Sequence, residues 1–178
     1  HGGRYAFANQ SPIAFWNLTR FAETLLPLLD ENSKSAIAMA ESALDAFADI
    51  HRVEFQRRFL AKIGIDEARS DDWSLVESLL ATMQQGEADF TLVFRHLSDA
   101  LETVNDDAVV ALFNDPESIT KWLRAWRLRQ NAADQQVATS LMRRHNPVFI
   151  PRNHRVEEAI AAGYEGDFEP FHKLCEVL

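Results

Sequence analysis

The sequence predicts an all-α protein, and three observations support that prediction. The 178-residue chain has only six glycines and six prolines, and most of them lie between segments with helical periodicity. Apolar residues recur at intervals of three and four along most of the chain. Hydrophobic residues make up 47% of the sequence, which is enough for a folded core. We therefore expect a loop at residues 1–12 and a single α-helical domain at residues 13–178.

Two helices are expected in the first third of the chain. The first covers residues 12–29, and the second covers about 33–63 and ends at Gly64, because glycine is a common residue just after a helix. A third helix follows Asp71 and Asp72, whose carboxylates can cap its N-terminus. It ends at the turn formed by residues 84–86.

The second half contains stronger helix signals. Asp89 is expected to cap a helix that continues to about Val104, and a short element follows at 107–113. Asp115 followed by Pro116 is a typical helix start, and we expect one helix from there to about Arg144. A proline-containing loop at 145–153 then leads to two short helices, 154–163 and 167–178, the second capped by Asp167.

Composition excludes several classes of function. The net charge of −9 disfavours nucleic acid as a partner, because binding to phosphates requires a basic surface. No apolar run approaches the length of a membrane span. A single cysteine, Cys175, excludes an internal disulfide, and we interpret it as a small apolar residue of the last helix.

Carboxylates and histidines form no convincing catalytic or metal-binding motif. His51 and Glu54 are spaced to share a helix face as metal ligands, but we favour a packed histidine because no second ligand pair is present. The pairs Asp71–Asp72 and Asp106–Asp107 have the chemistry of acid–base or Mg²⁺-binding groups, yet both stand where helix caps are expected. The sequence therefore predicts no catalytic, cofactor-binding or metal-binding residue.

Basic residues cluster in one part of this acidic chain. Arg143, Arg144 and Arg152 are a candidate anion-binding patch, and the alternative is that they pair with nearby carboxylates or stabilise a helix end. Trp122 and Trp126 have arginines 124, 127 and 129 around them, a pattern that also occurs in base-stacking sites. Because the tryptophans share an apolar face, we expect them in the core with an exposed basic face.

The opening block GRYAFANQ at residues 3–10 combines glycine with polar side chains ahead of a helix. Arg4, Tyr5, Asn9 and Gln10 are candidate substrate-contacting residues, since loops on a rigid scaffold often carry function. The alternative is a structural strap that holds the loop against the helices.

Several short motifs, in order along the whole chain, resemble the selenoprotein O family, also called the YdiU family. They are the GRYAFANQ block at 3–10, Trp16-Asn17-Leu18, residues 25–29, Ala88-Asp89-Phe90-Thr91, Trp122-Leu123, Trp126-Arg127, Asn146-Pro147, Arg152-Asn153 and Gly166-Asp167-Phe168.

The resemblance implies a protein-kinase-like fold and transfer of AMP from ATP to protein hydroxyls, with ATP and Mg²⁺ as cofactors. The family's nucleotide-binding loop, lysine–glutamate pair, catalytic aspartate and metal ligands match nothing here. The chain then corresponds to the helical C-terminal part of a pseudokinase-like adenylyltransferase, with residues 1–12 similar to an activation segment. Such a fragment is expected to be inactive alone.

The partners implied are the missing N-terminal catalytic lobe, the parent's protein substrates and a second copy bound through the exposed lobe interface. Neither nucleic acid nor a membrane is expected. The expected location is the cytoplasm, or the mitochondrion for a eukaryotic parent. An autonomous helical protein-interaction module is the alternative function.

Overall fold

The computed structural model describes residues 9–130 and 134–178, and all regular structure in those ranges is helical. This confirms the predicted all-α class. The helices are α1 (Gln10–Leu29), α2 (Ser33–Lys62), α3 (Asp72–Gln85), α4 (Phe90–Thr103), α5 (Asp107–Val110), α6 (Pro116–Gln130), α7 (Gln135–His145), α8 (Asn153–Tyr164) and α9 (Glu169–Val177).

The chain divides into two compact units, His1–Arg58 and Phe59–Leu178. The described part of the first unit contains α1 and most of α2. Helix α1 has no buried side chain, and the rings of Phe15 and Phe47 lie 5.7 Å apart between their centroids. Asn32 starts α2, since its Oδ1 accepts hydrogen bonds from the backbone N–H groups of Lys34 and Ser35.

The second unit holds most of the buried apolar side chains. Within it α3 packs against α6, α4 packs against α5 and α7, α5 against α6, and α8 packs against α9. Large side chains from these helices are fully buried, among them Leu79, Leu97, Ile119, Trp126 and Met142. The hydrophobic effect of burying these side chains therefore stabilises this unit.

The predicted helix termini are confirmed at several positions. Asp89 accepts a hydrogen bond of 2.9 Å from the backbone N–H of Leu92 at the start of α4. Asp115 accepts one of 3.1 Å from Glu117 at the start of α6. Gly64 follows α2 with φ of +81°, a conformation that favours glycine because it has no Cβ.

The prediction of one helix from Pro116 to about Arg144 is wrong. Helix α6 ends at Gln130, and α7 begins at Gln135. Asp134 is the N-cap of α7, and its side chain accepts hydrogen bonds from the N–H groups of Gln136 and Val137. Asp134 thereby satisfies the free N–H groups of the first turn of a new helix. Apolar periodicity across 119–141 therefore does not require one continuous helix.

Candidate functional site

The predicted substrate-side residues lie at the start of the chain. Arg4 and Tyr5 fall outside the described residues. Asn9 occupies the N-cap position of α1 without a side-chain capping hydrogen bond, and Gln10 is the first residue of that helix. Residues 10–12 are therefore helical, and the substrate-contacting role of this segment stays a prediction.

Asp72 is almost completely buried and paired with Arg129 of α6. Arg129 donates from Nε to Asp72 Oδ1 at 2.6 Å and from Nη2 to Oδ2 at 2.9 Å. The backbone N–H of Arg69 donates to the same carboxylate at 2.7 Å. Arg129 also reaches the carbonyl oxygen of Glu67 at 2.9 Å. This bidentate ion pair joins the start of α3 to the end of α6.

Two opposing effects act on the Asp72 carboxyl. Burial raises its pKa, whereas the hydrogen bonds from Arg129 and from the backbone of Arg69 lower it, and the net pKa lies below the usual value. Asp72 is therefore a charged partner of Arg129 and lacks the raised pKa of a general acid. Asp71 occupies the expected N-cap position of α3, but its side chain makes no capping hydrogen bond. The Asp72 carboxylate binds Arg129 and the N–H of Arg69 instead.

Arg127, also on α6, forms a second ion pair with Asp106 at the start of α5. Arg127 donates from Nε to Asp106 Oδ2 at 3.1 Å, and its Nη2 contacts Oδ1 and the carbonyl oxygen of Ala100, the latter at 3.1 Å. Asp106 makes no side-chain capping hydrogen bond at α5, where Asn105 instead accepts from the N–H of Asp107.

These two pairs correct the interpretation of α6 as a core helix with an exposed basic face. Arg127 and Arg129 are both largely covered, and each neutralises an aspartate on another element. The sequence does not indicate the Asp72–Arg129 pair, because 57 residues separate the two partners. Arg124 alone of the three arginines is exposed.

The tryptophans of α6 are core residues, as predicted. The rings of Trp122 and Trp126 stack with centroids 5.7 Å apart. Each indole N–H donates to a backbone carbonyl, Trp122 to Leu75 at 2.8 Å and Trp126 to Ile63 at 2.8 Å. Buried and hydrogen-bonded in this way, they offer no platform for stacking bases.

Lys62 and Asn146 form a partly buried polar junction that the sequence did not indicate. Lys62 Nζ donates to the carbonyl oxygen of His145 at 2.9 Å and to Asn146 Oδ1 at 3.2 Å. Asn146 Nδ2 donates to the carbonyl oxygen of Lys62 at 2.8 Å and to Ser98 Oγ at 3.3 Å. The ammonium group lies 5.0 Å from the ring centroid of Phe94.

Burial lowers the pKa of Lys62. The contacts around it satisfy the carbonyl groups at the ends of α2 and α7, and they tie both ends to α4. We interpret this junction as a structural connection, because its polar groups bind one another.

The three arginines of the predicted anion patch do not act on one site, because two of them pair with carboxylates at opposite ends of α4. Arg143 pairs with Glu102 near the C-terminal end of that helix, and Arg152 pairs with Asp89 at its N-terminal end, 3.3 Å away. A helix of this length separates the two positions by about 20 Å. Arg144 is exposed and has no ion pair within the described ranges. An anion-binding role for Arg143, Arg144 and Arg152 stays a prediction.

The other candidates have structural surroundings. The His51 ring stacks near Phe47 and Phe55, with centroids 5.6 and 5.9 Å away, and Glu54 binds Arg57. Cys175 lies on α9 but is exposed. Within residues 9–130 and 134–178, no three His, Cys, Asp or Glu side chains are grouped to hold a metal ion. The same ranges contain no helix long and apolar enough to cross a membrane.

Comparison with known proteins settles the family. The family described as protein adenylyltransferase SelO matches residues 1–178, the whole chain. The chain belongs to the SelO family. This confirms the resemblance drawn from the sequence motifs.

Curated SelO relatives are named protein nucleotidyltransferase YdiU. The chain is 44% identical to that of Rhodopseudomonas palustris strain HaA2 over 182 residues, and 45% identical to that of Methylorubrum extorquens over 186 residues. It is 47% identical to that of Bradyrhizobium sp. strain BTAi1. These alignments cover 99–100% of the chain but only 36–37% of each relative, so the chain spans little more than a third of their length.

Proposed function

We propose that this chain is the C-terminal helical part of a pseudokinase-like protein adenylyltransferase, which transfers AMP from ATP to serine, threonine or tyrosine hydroxyls of proteins. The observation that carries the proposal is the SelO family match over residues 1–178. The nucleotidyltransferase name of relatives nearly half identical to the chain supports the same reaction class.

The described residues have a supporting role in this proposal. Nucleotidyl transfer needs a bound metal, a cradle for the triphosphate and a positioned nucleophile. The most buried aspartate, Asp72, is occupied by Arg129, and the described ranges contain no metal-binding cluster. These residues do not fit an ATP·Mg²⁺ site, so we assign nucleotide and metal binding to the remainder of a family-length protein.

We propose two kinds of partner for the chain. One is the catalytic lobe of the family-length protein, and the other is the protein that receives AMP, which the opening segment with Arg4, Tyr5, Asn9 and Gln10 would approach. The exposed apolar side chains of α1 also favour an interface, with Phe21 59% and Leu28 81% exposed. Self-association or an autonomous interaction module would use the same face. For a bacterial protein we propose a cytoplasmic location.

A family-length SelO protein containing this sequence tests the proposal. With α-labelled ATP and Mg²⁺ it should transfer labelled AMP to proteins, whereas the 178-residue chain alone should transfer none. Absence of transfer by the family-length protein would contradict the proposed reaction. Transfer by the 178-residue chain would contradict the supporting role.

The opening segment needs separate variants, Arg4→Ala and Tyr5→Phe, in the family-length protein. If the segment contacts the substrate, both should raise KM for the protein substrate while KM for ATP stays unchanged. Wild-type transfer by both variants would leave only the strap interpretation.

A further inference from the structure

One face of α2 carries a row of apolar side chains that are exposed to solvent. They recur at intervals of four, three, four and three residues, the spacing that places side chains in one line along a helix. The three large ones are between 49% and 62% exposed, and the two alanines between them are exposed as well. We call this set the α2 stripe: Met39, Ala43, Ala46, Ile50 and Val53.

The α2 stripe is longer and more regular than a scatter of surface side chains. Its ends, Met39 and Val53, are 14 residues apart. That separation is about 21 Å along a helix. The face of a helix that points to solvent normally carries polar side chains. Heptad spacing of apolar residues is instead the pattern by which one α-helix packs against another. The stripe therefore has the form of a seam for a second helix.

The charged groups next to the α2 stripe favour no charged occupant. Asp49 pairs with Arg52 at 3.1 Å, and Glu54 pairs with Arg57 at 2.8 Å. Each pair lies within α2, so the carboxylates beside the stripe already have counterions. Apolar burial and close packing therefore decide what this surface binds.

A second copy of the chain fits the α2 stripe poorly. If two stripes overlapped fully, in parallel or antiparallel, Ala46 would face its own counterpart. The larger Met39, Ile50 and Val53 would hold the two helices apart, so the centre of the seam would be underfilled. Well-packed helices place large side chains opposite small ones. The stripe is therefore complementary to a different helix, with large apolar side chains opposite its two alanines.

The remainder of a family-length SelO protein is the source of chain that best fits this requirement. The 178 residues cover only 36–37% of the curated relatives, so most of a family-length protein lies outside them. A helix of the same polypeptide is present once for each stripe and at high effective concentration. An apolar surface without uncompensated charge is also typical of permanent contacts.

We propose that the α2 stripe is covered by an amphipathic α-helix from the remainder of the family-length protein. Apolar residues recur at heptad spacing in that helix, and those opposite Ala43 and Ala46 are large. The proposal rests on the proposed function, because it assigns a surface to the partnership between this chain and the catalytic lobe. The polar face of α2 that includes Glu41 stays open to solvent.

Cysteine labelling without ATP tests the proposal independently of AMP transfer. Ala46→Cys places a thiol in the α2 stripe. Glu41→Cys is the matched control, since Glu41 is also exposed and five residues turn a helix by about 140°. Both are made in a Cys175→Ser background, in the 178-residue chain and in the family-length protein. Mass spectrometry of the labelled peptides measures the rate of maleimide addition at each position.

The covering helix should protect only the thiol in the α2 stripe, and only in the family-length protein. There, Ala46→Cys should react at least about tenfold more slowly than Glu41→Cys, because labelling must wait for local opening. In the 178-residue chain the two rates should agree within about threefold, since both positions are exposed.

Two results would overturn the proposal. One is equal labelling of the two positions in the family-length protein, which would leave the stripe uncovered. The other is slow labelling of Ala46→Cys already in the 178-residue chain, and further slowing at higher concentration would identify a second copy as the occupant. Protection at position 46 in a family-length protein that transfers no AMP would contradict the proposed reaction but not the covered stripe.

Discussion

The core around α6 and the hairpin formed by α8 and α9 contain the same residue types in different surroundings. In the core, Trp126 is fully buried, and the largely covered Arg129 forms an ion pair with the buried Asp72. In the hairpin, only Ala159 is buried, whereas Phe168 and Phe171 are at least half exposed. Arg155 and Glu158 form an ion pair in which both side chains are more than half exposed. Burial therefore decides how much an arginine–carboxylate pair contributes to the stability of the fold.

The largest expected difference between the two regions comes from breaking one ion pair in each. Asp72→Ala leaves Arg129 as an unpaired covered charge and should reduce the free energy of unfolding by about 3 kcal/mol. Glu158→Ala should change it by less than about 0.5 kcal/mol, because exposed pairs contribute little. Urea unfolding followed by tryptophan fluorescence measures both.

Asp71→Ala is the matched control for Asp72→Ala, since the neighbouring aspartate makes no side-chain capping hydrogen bond. It should remain within about 0.5 kcal/mol of the original chain. Equal losses for Asp71→Ala and Asp72→Ala would contradict the structural role of the Asp72–Arg129 pair.

Two glycines give a smaller and more specific difference. Gly64 in the core and Gly166 in the hairpin both have positive φ, +81° and +83°. Alanine at either position should cost about 1–2 kcal/mol of backbone strain. At Gly64 the new Cβ would also lie 3.0 Å from Met142 Sδ, whereas at Gly166 nothing lies within 4 Å.

Gly64→Ala should therefore destabilise the chain more than Gly166→Ala, by about 1 kcal/mol of added steric conflict in the packed core. Thermal unfolding by circular dichroism compares the two variants directly. Equal losses at the two positions would show that packing around Met142 yields to the new methyl group.

The smallest of the three expected differences between the core and the hairpin is the loss of stability at acid pH. The pKa of Asp72 is lower in the folded chain than its usual value, so the unfolded chain binds the proton more readily. The resulting stabilisation is present above the unfolded pKa, about 3.9, and is lost as pH falls through the lower folded pKa. Unfolding free energies between pH 6 and pH 2.5 should show this loss.

In Asp72→Asn the acid-dependent loss should be reduced, because the amide has no carboxyl proton to bind. If Asp72→Asn retained the whole dependence, other carboxylates would account for it.

Much of the fold follows from local signals in the sequence. Asp89, Asp115 and Gly64 mark helix ends through groups within a few residues of them, and apolar spacing identifies the faces of α4 and α6. Asp134 shows the limit of periodicity, because the apolar spacing continues across the boundary between α6 and α7. Asp134 is a local helix-start signal, whereas the continuous apolar spacing favours one long helix.

The candidate sites were harder to predict, because their partners are distant in sequence. The sequence alone places Asp72 at a helix cap and Arg129 on a basic face, because neither residue indicates the other. No local signal pairs Lys62 with Asn146, which lies 84 residues further along the chain. The family, in contrast, was recognisable from short motifs, because their order along the chain does not depend on contacts.

We propose that this helical part supports nucleotidyl transfer without binding the nucleotide itself. The most direct test is isothermal titration of ATP with Mg²⁺ into the 178-residue chain and into a family-length SelO protein containing it. We expect saturable heat of binding for the family-length protein and none for the 178-residue chain. Saturable ATP·Mg²⁺ binding by the 178-residue chain would contradict the proposed supporting role.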